Sequence, residues 1–316
     1  MKQQREVIFE LNLPYRRHLR VERAVYQAAP GPRLAVAAGV HGDELEGLGV
    51  CHTLAAWLED AEWRRPGTLR GRLELYPAIN PLGMDAQHRE LPLYDADLNR
   101  SFPGHADGLL PRRLAAAVSE ALSGCTLVLA LHASNVYIRE HPQLRLHPQH
   151  APQLQALAAA AGLEVIWTQV TPPVAEGSLA YSCNARGIPC LTLVGGIGMR
   201  CGTDTTQALA QAVLRLAVRV GVLDPSALPS SPMAAAAVGD RVEVLTAPAS
   251  GVFLASAATG WVEADSLLAT IVTPYSGEIL AEVRSPVTGL LFSLREYPLV
   301  YQGSLIARIA SKEGEQ

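Results

Sequence analysis

The chain has 316 residues, 49% of them hydrophobic and 18% charged, which excludes a disordered protein and leaves room for a main domain plus a small one. Its net charge of −4 and pI of about 6.1 give no basic footprint, which excludes nucleic acid as a partner. The charged start Met1–Glu6 lacks the apolar core of a signal peptide, no apolar run reaches the roughly 18 residues that span a bilayer, and Cys51, Cys125, Cys183, Cys190 and Cys201 show no disulfide-scaffold spacing, so a cytoplasmic protein is expected, without a membrane partner.

Along the chain, apolar strand-like runs alternate with helical periodicity. Buried strands are predicted at Leu34–Ala38, Leu73–Ile79, Leu127–Leu131, Val165–Gln169 and Cys190–Val194, and helices at Leu45–Leu58, Leu110–Leu122, Gln153–Ala161 and Ala208–Val222. That alternation implies an α/β sheet with helices on both faces, whose ligands gather at the carboxyl ends of the strands. The proline- and serine-rich stretch Asp224–Met233 reads as a linker, dividing the chain into residues 1–226 and 234–316. Beyond it, Val242–Ile309 holds short β-rich runs broken by glycine, as in a small all-β module packed against the main domain to shape a pocket rim.

The segment Arg33-Leu-Ala-Val-Ala-Ala-Gly-Val-His41-Gly-Asp-Glu44 places an imidazole and a carboxylate three residues apart where a strand turns into a helix, on one face of the first helical turn. A third ligand from His132, which ends Thr126-Leu-Val-Leu-Ala-Leu-His132, would complete a His₂Glu zinc set with an open position. The plainer reading of Asp43 and Glu44 is acids favoured at a helix N-terminus.

The segment between them decides. Asp97-Leu-Asn99-Arg100 followed by Phe102-Pro-Gly104, downstream of Asn80-Pro-Leu-Gly83 and Arg89, resembles the succinylglutamate desuccinylase/aspartoacylase family, relatives of the zinc carboxypeptidases. The resemblance runs from the strand before His41 to the C-terminal β segment. It implies a zinc-carboxypeptidase-like mixed sheet with helices on both faces, plus a small C-terminal all-β, barrel-like domain. It implies one zinc ion per chain on His41, Glu44 and His132, a substrate carboxylate held by Asn99 and Arg100, and a scissile carbonyl polarised by Arg89. Ser134–Asn135, the run Arg139–Arg145 and Gly196–Arg200 resemble one bacterial branch, adding Arg145 as a candidate for substrate binding. The guanidinium fork matches a carboxylate in two places and keeps its charge at any working pH, which suits these roles. Carrier modules related to the C-terminal region need a lysine at a hairpin tip, and Val242–Ile309 has none, so a carrier role is excluded.

Two departures stand out. The family's Asp-x-His before the third ligand is here Ala130, and the family's catalytic glutamate, the base for the zinc-bound water, is replaced by Val194. Glu176 is the best-placed substitute, with a plain reading as a loop acid at a helix start; Glu140 is a second candidate, though it also matches a glutamate of the family branch. The expected function is zinc-dependent hydrolysis of the amide of an N-acyl amino acid or a similar small carboxylate, with homo-oligomerisation left open. The alternatives are a non-hydrolytic metal-dependent elimination or rearrangement, and a non-catalytic metal- or ligand-binding homologue.

Overall fold

The structure, a computed structural model, describes residues 1–15, 18–168, 176–228, 237–238 and 242–311. The first strands are β1 (Lys2–Leu11), β2 (Leu19–Gln27), β3 (Arg33–Ala37), β4 (Arg72–Tyr76) and β5 (Leu127–His132), followed by β6 (Ile138–Leu146), β7 (Val165–Thr168) and β8 (Cys190–Gly196). Helices are α1 (Glu46–Arg64), α2 (Pro81–Ala86), α3 (Leu110–Ala121), α4 (Ala151–Ala159), α5 (Leu179–Ala185) and α6 (Thr203–Arg219). Every predicted strand and helix is present within a few residues; Gln169 lies outside the described residues, as do residues 229–233 of the expected linker. The β1–β2 pair and β6 are additions, because their mixed polar and apolar residues lack the continuous apolar run that marks a buried strand.

Strands β4, β3, β5 and β8 run parallel at the centre of one large mixed sheet, with β2 and β6 antiparallel on either side. Side chains alternate between two cores. Leu34, Val36, Leu129, Leu131, Leu191 and Leu193 pack under α1, α4 and α6, whereas Ala35, Ala37, Val128, Ala130 and Cys190 pack under α3 and α5. Burial on both faces accounts for the nearly unbroken apolar sequence of these strands.

The C-terminal region adds β9 (Ala237–Val238), β10 (Val242–Thr246), β11 (Gly251–Ala255), β12 (Gly260–Val262), β13 (Leu267–Val272), β14 (Ile279–Arg284), β15 (Gly289–Arg295), β16 (Leu299–Val300) and β17 (Leu305–Ser311). β15 pairs with β6, so β12, β15, β17 and β10 continue the main sheet, while β14, β13, β11 and β16 form a second antiparallel sheet. The core of this region is Phe253, Leu268, Ile271, Leu291, Ile306 and Ile309.

Glu74 on β4 is fully buried in the main sheet and is neutralised from several directions. Arg23 Nη1 donates to it at 2.8 Å, Arg33 Nε at 3.1 Å and the Tyr76 hydroxyl at 2.7 Å. Removing one partner of such a buried set strands the others. Glu74→Ala is expected to cost about 3–5 kcal/mol in urea unfolding, and a loss below about 1 kcal/mol would show that the arginines find water instead.

Candidate functional site

His41 and Glu44 precede α1 rather than lying in its first turn as the spacing predicts. The helix begins at Glu46, and the Glu44 N–H donates back to the His41 carbonyl at 3.4 Å. This tight turn still keeps the two side chains together. It fits against α2 only because residue 42 is glycine: a Cβ there would lie 2.0 Å from the carbonyl carbon of Gly83. The glycines of His41-Gly-Asp-Glu44 and Asn80-Pro-Leu-Gly83 are therefore one packing contact.

His41 Nδ1 lies 2.7 Å from Glu44 Oε1, and His132 Nδ1, from the end of β5, lies 2.7 Å from Glu44 Oε2. The two rings are 5.2 Å apart, and ligand atoms of all three residues fall within 4.8 Å of one another. Among the described residues this is the only such group of three. Two imidazole nitrogens and a carboxylate, all largely buried, form a donor set that fits zinc. His41 also has the outer partner that metal-bound imidazoles usually have, since its Nε2 is 3.0 Å from Asp97 Oδ1. His132 has no carboxylate on its Nε2 among the described residues, and Ala130, two residues earlier on the same face of β5, has no side-chain acceptor to offer.

Charge in the cluster is tightly coupled. Burial opposes ionisation of Glu44, but His41 and His132 outweigh it and hold the carboxyl far below its usual range. Burial likewise opposes a charge on His41, and Glu44 with Asp97 overrides it, raising the imidazole to about 9. Asp97 is brought down to about 2, burial again being outweighed, here by His41 and Arg89. Arg89 reaches both acids, with Nη1 3.2 Å from Glu44 and Nη2 3.6 Å from Asp97.

The cluster opens on a cavity of about 510 Å³ that Arg89, Asn99, Arg100 and Arg145 also line. Asn99 Oδ1 accepts from the Leu179 N–H at 2.9 Å, which fixes the amide, and Arg100 Nη1 donates to the Asn99 carbonyl at 2.9 Å. Cys190, Thr192 and Val194, alternate residues of β8, form one wall. Val194 is buried and is flanked in the sheet by His132 and Gln143. Glu176 is exposed and is not among the cavity-lining residues, although Gly177 beside it packs against the Arg100 backbone. Glu140 does line it. Asp97 lies within the quoted motif, yet its bond to His41 needed the fold to appear. Arg308 and Leu305 of β17 also line the cavity, and nothing in their local sequence signals it.

The chain belongs to the succinylglutamate desuccinylase/aspartoacylase family, whose catalytic-domain model matches residues 30–219. A stretch of 110 residues is 32% identical to the N-alpha-acetyl-L-2,4-diaminobutyric acid deacetylase of Halomonas elongata, covering 34% of this chain and only 30% of that relative. The fold is similar to the product-bound ectoine utilization protein EutE (DoeB) of Ruegeria pomeroyi, with a TM-score of 0.79 at 20% identity over 98% of this chain and 95% of the other. It is also similar to a metallo-carboxypeptidase of Burkholderia cenocepacia, with a TM-score of 0.51 at 15% identity over 64% and 61% of the two chains. The carboxypeptidase-like sheet expected from sequence is thus present. Among the described residues no helix is long and apolar enough to cross a membrane.

The electrostatics give a stability prediction for chelator-treated protein. His41 has a folded pKa raised from 6.5 to about 9, so its pairing contributes stability that is complete below pH 6.5 and is lost as pH rises through about 9. The thermal midpoint should fall across that window, and Glu44→Gln should flatten the fall. An unchanged slope in Glu44→Gln would exclude the pair as its source.

Proposed function

We propose that this family member is a zinc-dependent deacylase acting on the amide bond of an N-acyl amino acid or a similar small carboxylate, with one zinc ion per chain held by His41, Glu44 and His132. The observation that supports it most is the convergence of two imidazoles and a carboxylate at the carboxyl ends of parallel strands, on a cavity that Arg89, Asn99 and Arg100 share. The partial relative in Halomonas elongata is by name a deacetylase of an N-acetylated amino acid, which supports the substrate class.

Zinc bound there supplies a Lewis acid for the carbonyl and activation of water. The remaining steps belong to the side chains. Arg100 holds the substrate carboxylate, and Asn99, whose Oδ1 is occupied by the Leu179 N–H, offers its amide N–H groups to the same anion. Arg89 lies beside the ligand cluster, where its guanidinium meets negative charge developing on the carbonyl oxygen. Asp97 holds the His41 ring so that Nδ1 faces the ligand site. Arg145 binds the substrate from the wall formed by β6.

The base is the open term. By the family resemblance, Val194 stands where a glutamate takes the proton of the attacking water. Glu176 is our candidate to replace it, on the ground that Gly177 beside it packs against the backbone of Arg100. A second reading has a specific observation behind it: both carboxylates that line the cavity are engaged. Glu44 is held by two histidines, and Glu140 by Gln143, Ser293, Arg145 and Arg308. A metal-dependent elimination or rearrangement, or ligand binding without turnover, needs no free carboxylate there.

Purified protein should carry close to one zinc per chain by elemental analysis, and His41→Ala and His132→Ala should each lose most of it. Retention in both would remove the ligand assignment.

Turnover on a panel of N-acetyl and N-succinyl amino acids separates the two readings. If the cavity is a deacylase lacking its base, Val194→Glu should raise hydrolysis at least roughly tenfold. If wild type already hydrolyses such amides briskly, Glu176→Gln should cost about 10²-fold. Brisk activity untouched by Glu176→Gln would reject that base, and a metal-loaded Val194→Glu protein without gain would favour the non-hydrolytic reading.

A further inference from the structure

Glu46, the first residue of α1, is almost wholly buried, yet no cation lies within ion-pair distance of it among the described residues. Neutral donors of α6 satisfy it instead. Oε1 accepts the N–H of Gly202, the residue that caps α6, at 2.8 Å, and Oε2 accepts the hydroxyl of Thr206 in the first turn at 2.8 Å. The carboxylate thus stands at the N-termini of two helices, α1 by sequence and α6 by contact, and the partial positive charge there offsets part of the cost of burying it. Losing either donor would leave a buried oxygen unsatisfied, so the link between the helices is stiff.

The segment that this link holds is 196–202, which joins β8 to α6. A Cβ at Gly196, whose φ is +79°, would collide with the Glu46 carboxylate, so the end of β8 closes directly on it. From there the loop reaches both halves of the ligand cluster through its backbone. The Met199 N–H donates to the Asp43 carbonyl at 2.7 Å, inside the turn between His41 and Glu44. The Gly198 N–H donates to the Asn135 carbonyl at 3.1 Å, three residues beyond His132. Met199 makes its bond at a left-handed φ of +62°, which residues other than glycine keep only where their surroundings impose it. The bridge falls where the sheet gives out. Ala37 with Ala130 is the last β3–β5 pair, so His41, Glu44 and His132 all lie past the hydrogen bonding between the strands that carry them.

We propose that Glu46 is a positioning residue: by fixing the 196–202 loop it holds the turn of His41 and Glu44 and the segment after His132 at the spacing a metal ion requires. Glu46 is not among the cavity-lining residues, so its effect passes through the loop. The inference rests on the zinc reading only in taking these three side chains as ligands.

Two measurements on Glu46→Ala, Glu46→Gln and Thr206→Val test it. Amide hydrogen exchange in the metal-free protein is followed in peptides covering 41–45, 131–136 and 196–202, with α3 as the internal reference, and zinc affinity is measured by competition with a chromophoric chelator. Glu46→Ala should speed exchange in all three segments by about tenfold or more while leaving α3 unchanged. It should also weaken zinc binding by about 10- to 100-fold, the usual loss when an outer partner of a metal site is removed. Glu46→Gln keeps an acceptor for Gly202 and offers a donor to Thr206, so it should recover most of both. Thr206→Val removes one of the two bonds and should move both readouts the same way by less, and it decides the matter where thermal unfolding shows that Glu46→Ala has not folded. Exchange unchanged at 41–45 and 131–136 in a folded variant would overturn the proposal, as would a rise shared equally by α3 with zinc affinity intact. Failure of the wild type to bind zinc would count against the ligand assignment alone, since exchange still decides whether Glu46 holds the two segments.

Discussion

Glu44, His41, Asp97 and Arg89 form a closed ring in which anions and cations alternate, with contacts of 2.7, 3.0, 3.6 and 3.2 Å around it. A carboxylate as buried as Glu44 is tolerable only if it is paired, and this ring with His132 supplies the pairing. The cavity is organised around that requirement. β3 delivers the turn holding His41 and Glu44, β5 delivers His132, and the segment after α2 supplies Arg89 and Asp97. Since each ion neutralises two neighbours, withdrawing His41 would leave the buried Glu44 carboxylate short of a partner. Such coupling keeps the ligand atoms of His41, Glu44 and His132 within 4.8 Å of one another.

How much of this could be seen in the sequence followed from how local each signal was. The doubly buried strands announced themselves as apolar runs, and His-x-x-Glu is local because a single turn closes it. The Asp97–Arg100 segment could be identified from neighbouring residues alone. Arg308 could not: its place depends on the register that sets it beside Ser293 and so beside Glu140, across 168 residues of chain. β6 was legible as a motif but not as a strand, since Arg139-Glu-His-Pro-Gln143 breaks the apolar pattern. The reason is now visible: Glu140 lines the cavity and accepts from Gln143, while Arg139 and His141 turn the other way to pair with Glu296 and Glu164.

The pairing of β15 with β6 also changes what the C-terminal region is. A module that merely leaned on the main body would contribute shape. Here the sheet itself passes from one to the other, and Leu305 and Arg308 become cavity residues by the same hydrogen bonding that holds the strands together. Buried ion clusters such as Glu140 with its two arginines add little net stability, since desolvation offsets most of the attraction. Their persistence at a cavity wall is better explained by binding than by folding.

Charge balance bears on Val194 as well. Arg89, Arg100, Arg145 and Arg308 line the cavity against the carboxylates of Glu44 and Glu140, so an excess of positive charge remains for an anion to neutralise. A glutamate at position 194 would lie beside His132 in the sheet and would cancel part of that excess at the ligand cluster. Valine leaves the excess in place and adds no charge to the wall. Relative to the glutamate that the family resemblance implies at this position, valine offers no proton acceptor. Under the proposed function, hydrolysis would therefore draw its base from outside this wall, because both carboxylates that line the cavity are already engaged by neighbouring cations and donors.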